Sequence, residues 1–333
     1  MSDHIDPEKL DRLAQVAVRT GVNLQEGQDL VITGPMAALP LVRLITKYAY
    51  KAGCGVVMPF FTDDVMLLAR YEHASDESFD KAPDWFYEGL AAAFKGGAAR
   101  MAISGDDPML LAEQDPAKVA RVSKANSIAS KPAMQAIVGF EVNWNIVAYP
   151  SKGWASRVFP DLPAEEAQGK LMDHIFAASR LEGDDPVANW ADHSKELKTR
   201  VEWLNQRNFA ALKYTGPGTD LNLGLADGHI WKGGASQALN GVMCHPNIPT
   251  EEVFTCPHAY KVDGTVAATK PLAHQGTIIE DIAVRFEAGK IVEGGNQSLI
   301  HVDWMIGSDA IDIDGVTKTG EMVPVMRKGE WAF

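Results

Sequence analysis

Cysteine is scarce in this chain: three residues in 333, Cys54, Cys244 and Cys256, an odd number with no metal-finger spacing. That excludes a disulfide framework and points to reduced thiols in a cytoplasmic protein. No apolar run approaches the ~20 residues that span a bilayer, and no basic amphipathic stretch is offered to a membrane surface. Positive charge is also in short supply, with 31 Lys and Arg against 44 Asp and Glu and a formal net charge of −13. A phosphate backbone must be met by clustered cations, so nucleic acid is excluded as a partner. The opening Met1-Ser2-Asp3-His4-Ile5-Asp6 lacks the cationic-then-apolar design of an export signal. Internal repeats and low-complexity segments are absent as well.

What is present is the balance of a soluble globular protein, 46% hydrophobic and 23% charged. A length of 333 residues allows two domains, each with its own core. The first half alternates strand and helix. Asp29 to Thr33 reads as a buried strand that Gly34-Pro35 ends. Met36 to Ala52 carries apolar residues at Leu41, Leu44, Ile45, Tyr48 and Ala52, close to a 3.6-residue period, and Gly53 stops that helix. Gly53-Cys54-Gly55 follows a helix rather than a strand, the wrong order for a dinucleotide-binding turn. Val56 to Met58 is the next strand, and Asp63-Asp64 opens a helix with acids where its dipole favours them. Ala98 to Ser104 and Trp144 to Ala148 read as two further strands. Such alternation implies an α/β domain with a mostly parallel sheet.

Two helices follow, Pro163 to Arg180 and Asp185 to Gln206, the second opened by an Asp-Pro cap. From Phe209 onward short β runs and turn pairs dominate. Asp227-Gly228, Asp263-Gly264 and Asp314-Gly315 are expected at tight hairpins, where both central residues take positive φ. These patterns predict an α/β domain over 1–206 and a β-rich (α+β) domain over 207–333. His4, His73, His174 and His193 read as surface residues, and His229, His245, His258 and His274 as structural ones.

The chemistry concentrates in the second part. His301-Val302-Asp303 lies inside an apolar run, and on a strand His301 and Asp303 share one face. An imidazole and a carboxylate so placed can form half of a metal site. The same pair also suits a core histidine capped by an acid. Upstream, Thr250 to Thr255 reads as a short strand with adjacent Glu251 and Glu252, of which only one can enter a given pocket. Pairing it with the His-x-Asp strand would give a Glu, His, Asp set of hydrolase type.

Several long motifs occur together. They are Gly216-Pro217-Gly218-Thr219-Asp220-Leu221, Gly228-His229-Ile230-Trp231-Lys232-Gly233-Gly234, Asn247-Ile248-Pro249-Thr250-Glu251-Glu252-Val253-Phe254-Thr255, Asp263-Gly264-Thr265-Val266 and His301-Val302-Asp303-Trp304-Met305-Ile306-Gly307-Ser308. Ala98-Ala99-Arg100, Gly105-Asp106-Asp107-Pro108 and Val158-Phe159-Pro160-Asp161-Leu162-Pro163 extend the set into the first half. Together they resemble the aminopeptidase T/aminopeptidase S family of metallopeptidases, the thermophilic-aminopeptidase type. The resemblance implies an α/β domain, a β-rich catalytic domain, a homodimer and a two-metal site that releases N-terminal residues from peptides. It makes Glu252, His301 and Asp303 metal ligands. Zinc, cobalt, manganese and magnesium all suit that mixed oxygen and nitrogen set.

One departure is large. Lys290-Ile291-Val292-Glu293 runs directly into Gly294-Gly295-Asn296. The family inserts a segment there carrying a Gly-Glu stretch and an Asp-Glu-Asn-Ala-x-x-His stretch with a following tyrosine. Those residues supply the bridging glutamate, a histidine and a tyrosine, so no catalytic residue is assigned here. A true deletion, an engineered chain and an omission from the sequence each explain the gap. The expected activity of the 333 residues alone is poor. The rival readings are a catalytically degenerate dimeric scaffold and an iron-dependent ring-cleaving dioxygenase on the same fold.

Overall fold

A computed structural model describes residues 4–183, 185–274, 276–294 and 304–333. The chain divides into two compact units, Met1–Lys195 with Gly234–Glu251, and Glu196–Gly233 with Glu252–Phe333. The division therefore departs from a single boundary at 206/207: it falls earlier in the chain, and Gly234–Glu251 returns to the first unit.

The first unit is α/β. Its helices are α1 (Pro7–Val16), α2 (Leu39–Lys51), α3 (Asp64–His73), α4 (Asp84–Lys95), α5 (Pro116–Val138), α6 (Lys152–Val158), α7 (Ala164–Ala178) and the start of α8 (Pro186–Arg207). Its main strands are β1 (Leu30–Pro35), β2 (Val57–Thr62), β3 (Ala99–Ser104) and β4 (Trp144–Ala148). With Asn247–Ile248 they form one sheet in the order Asn247–Ile248, β4, β3, β1, β2, with every neighbour parallel. Alternation sorts the strand residues between two layers. Leu30, Ile32, Met101 and Ile103 join Leu10 and Leu13 of α1, Ile45 of α2 and Phe176 of α7 in one core. Val31 joins Phe94 of α4 and Ala133, Ala136 and Ile137 of α5 on the other face.

Local signals explain the element ends. The Asp6 side chain accepts from Glu8 and Lys9 N–H, Asp63 from Met66 N–H, and Asp185 from Val187 and Ala188 N–H, so three helices begin at acidic caps. Gly34-Pro35, expected to end the first strand, belongs to it. A Cβ on Gly34 would lie 2.9 Å from the Ile103 Cβ, so glycine here serves the close approach of two strands.

The second unit is built on an eight-stranded antiparallel sheet. Its order is Lys290–Gly294, Ala283–Glu287, Pro257–Ala267, Thr219–Leu225, Ala211–Gly216, Asp312–Val316, Met322–Arg327 and Glu330–Trp331. Leu204, Phe209, Leu212, Leu225, Trp231 and Val325 form its main core. Asp227-Gly228 lies in a turn but not in the expected tight hairpin, since only Gly228 has positive φ and the strands on either side pair elsewhere. The other two Asp-Gly pairs lie inside strands. Gly264 has φ +116, and a Cβ there would meet the Asp220 carbonyl oxygen at 2.1 Å. At Gly315 the obstacle is the Phe209 ring, 2.4 Å from the position of a Cβ. Both glycines serve close packing, and the Asp314 carboxylate pairs with Arg327.

Candidate metal centre

Glu252 is the one of the three expected ligands that lies within the described residues; His301 and Asp303 lie outside them. Thr250 to Thr255 is not a continuous strand. Only Val253–Phe254 is extended, and it pairs antiparallel with Lys232–Gly233, so strand parity does not sort Glu251 from Glu252. Neighbouring prolines explain the short span: Pro249 lacks a donor for a ladder and Pro257 opens the next strand.

The Glu251 carboxylate pairs with the Arg180 guanidinium, and its second oxygen lies 3.7 Å from His193 Nε2. His193 is buried at 4% exposure and its Nε2 donates to the Thr250 carbonyl at 2.8 Å, which corrects its reading as a surface residue. Its ring meets Trp190 edge-on, as does the ring of His245. Burial holds the His245 imidazole below its usual range, and its Nδ1 lies 3.0 Å from the Thr20 carbonyl. Nothing in the sequence pattern announces this cluster, because Arg180, His193 and Glu251 come from three separated segments.

Glu252 begins the second segment of the second unit and is exposed. Its carbonyl oxygen packs on Gly233, where a Cβ would come within 2.4 Å. Thr255 Oγ1 donates to the Ile230 carbonyl at 3.0 Å, so the segment after Glu252 is fastened on both sides of its short ladder.

The segments flanking His301 and Asp303 are anchored too. Gly294 pairs with Val284 at the end of the last described strand before them. Glu293, the final carboxylate ahead of that point, accepts from Arg285 at 2.6 Å, and this bond holds its carboxyl below the usual range. On the far side, Trp304 and Ile306 pack on Leu221, Val262, Val266 and Val284. Thr269 N–H donates to the Met305 carbonyl at 2.7 Å, and Thr269 Oγ1 lies 2.8 Å from the Gly307 carbonyl. Among the described residues no group of three or more His, Cys, Asp or Glu side chains could hold a metal ion. The donor types of Glu252, His301 and Asp303 together, two carboxylates and one imidazole, fit one divalent cation.

The family model for thermophilic metalloprotease (M29) matches residues 6–294 and 292–331 of this chain. Aminopeptidase T of Thermus thermophilus is 40% identical over 399 residues, covering 97% of this chain and 98% of that protein. Aminopeptidase 2 of Geobacillus stearothermophilus is 33% identical, covering 98% of each. Among solved structures, wild-type AmpT from Thermus thermophilus superposes with a TM-score of 0.91 at 39% identity, covering 98% of this chain and 99% of that one. An alignment over 399 residues is longer than the 333-residue chain, so it contains positions that this chain does not fill.

Proposed function

The chain belongs to the thermophilic metalloprotease (M29) family, and we propose that it is a metal-dependent aminopeptidase whose metal is held by Glu252, His301 and Asp303. The observation that carries the ligand assignment is the family match that runs through Glu252, beside which the adjacent glutamate has a structural partner. Glu251 is taken up by Arg180, while Glu252 stands on a segment fastened to Lys232–Gly233. Zinc, cobalt, manganese or magnesium suits the set, with two ions in a complete site. Bound there, the metal would supply Lewis-acid polarisation of a peptide carbonyl. The protein's own part is to fix the donors: the Gly233 contact sets the backbone at Glu252, and the Trp304 and Ile306 contacts anchor the residues that follow the His-x-Asp pair. The substrate is a peptide with a free N-terminus, whose ammonium pairs with carboxylate charge. We also place the protein in the cytoplasm, in keeping with three free cysteines, and as a homodimer, which the family resemblance implies.

The site is incomplete in these 333 residues, and the gap is a single segment between Glu293 and Gly294. Three observations support this. The family match breaks into two pieces that meet at 292–294. The alignment to the relative outruns the chain. All five residues of Lys290–Gly294 are exposed on what is, among the described residues, the outermost strand of the eight-stranded sheet, including Ile291 at 47% and Val292 at 43%. An outer strand with bare apolar side chains is what removal of a covering segment leaves. The same gap favours, as a second reading, a scaffold that keeps the fold without the catalysis.

Restoring the segment separates the two readings. A chain carrying the corresponding stretch of Thermus thermophilus aminopeptidase T between Glu293 and Gly294 should hydrolyse leucyl-p-nitroanilide. The expected gain is roughly 10³-fold or more, the scale on which loss of a catalytic group acts. Chelator should abolish the activity and added cobalt should restore it. A folded, metal-loaded restored chain without turnover would favour the scaffold.

A further inference from the structure

The first unit has its own cavity, of about 520 Å³, lined in part by Ala37, Asp64, Tyr149, Lys152, Glu165 and Gln168. Its place follows from topology. In the order β4, β3, β1, β2 the chain leaves β1 toward β2 on one side and later returns to β3 on the other. Open parallel sheets bind ligands beyond the C-terminal ends of the strands at such a reversal. Ala37 follows β1, Asp64 follows β2 and Tyr149 follows β4, so the lining gathers at that end.

Two polar side chains in the lining keep hydrogen-bonding capacity that the protein does not use and that the cavity can reach. Tyr149 is 2% exposed, yet its hydroxyl makes no hydrogen bond among the described residues; burial alone pushes its phenol above the usual range. Gln168 is 5% exposed, and its Nε2 donates to the Pro150 carbonyl at 2.8 Å, which leaves Oε1 as an unused acceptor. Asp64 adds a carboxylate whose pKa is raised by burial and by the nearby Asp106, Asp107 and Asp63. Lys152 is already matched by Glu165 at 2.7 Å. The unused capacity of the cavity is thus acceptor-rich and negative, and its volume suits a small molecule.

We propose that this cavity binds a small organic cation through a primary ammonium, its N–H groups met by Gln168 Oε1, the Asp64 carboxylate and the Tyr149 hydroxyl. An ammonium supplies the donors that all three groups lack and the positive charge that the crowded carboxylates favour. A point cation fits less well, since among the described residues no three acidic, His or Cys side chains converge enough for a metal ion. The ammonium can come from a free diamine or from a lysine side chain.

Calorimetric titration of the full chain tests the assignment with four probes: 1,4-diaminobutane, Nα-acetyl-lysinamide, 1,4-butanediol and succinate. At least one ammonium probe should bind saturably, and the tighter one identifies the source. Asp64→Asn and Tyr149→Phe should each weaken that binding at least tenfold. Tyr149→Phe keeps the ring in the core, and circular dichroism checks the fold of both variants. The proposal is overturned if no probe binds, if the diol or the dianion binds as well as the ammonium, or if both variants bind like the parent.

Discussion

Replacing Glu252 with alanine should weaken divalent-metal binding more than ~100-fold, beyond the 10–100-fold cost of removing even an outer partner of a ligand. Glu251→Ala should leave metal affinity near that of the parent, because the Glu251 carboxylate is engaged by Arg180. Equilibrium dialysis against zinc, with the cobalt spectrum as a second readout, compares the two variants directly. Loss of metal in Glu251→Ala and retention in Glu252→Ala would reverse the assignment. The Glu251 pair itself contributes little to stability, since its carboxylate is 63% exposed and solvent screens it.

Trp190→Ala should cost the first unit about 3–5 kcal/mol, the range for deleting a buried aromatic. Trp190 is fully buried, and its Nε1–H donates to the Ser179 carbonyl at 2.8 Å. Its ring also separates two imidazoles, with centroids 5.5 Å from both His193 and His245. Truncation removes that packing and strands the Ser179 carbonyl in the core. Urea unfolding followed by near-ultraviolet dichroism measures the cost, with Trp190→Phe as the milder comparison. A loss below about 1 kcal/mol would show that the cluster collapses around the gap. Since the chain has two units, the transitions are to be fitted separately.

Much of the first unit was legible in the sequence because its signals are local. The 3.6-residue spacing from Leu41 to Ala52, the acid caps at Asp63 and Asp185 and the glycine stop at Gly53 each act within a few residues. Asp263-Gly264 and Asp314-Gly315 misled because their glycines answer to distant neighbours. Gly315 is needed for the Phe209 ring and Gly264 for the Asp220 carbonyl, contacts that no turn propensity encodes. Burial of His193 has the same origin: its partners come from the 245–251 stretch, which returns to the first unit after an excursion through the second. At the candidate metal site the residue types were legible and their support was not. The choice of Glu252 over Glu251 comes from the family resemblance, the expected six-residue strand requiring only that one of the two enter a pocket, and the structure adds Arg180 on the Glu251 carboxylate.

The most direct test is leucyl-p-nitroanilide hydrolysis by the 333-residue chain itself, at saturating cobalt or zinc, on material whose intact mass matches 36.1 kDa. On the proposed assignment Glu252, His301 and Asp303 hold one ion, whereas two-metal hydrolysis needs groups that bridge and flank a second. The predicted result is metal binding with turnover at or near background. Robust metal-dependent turnover by chain of that mass would contradict it and show that these residues complete an active site without the family's additional segment.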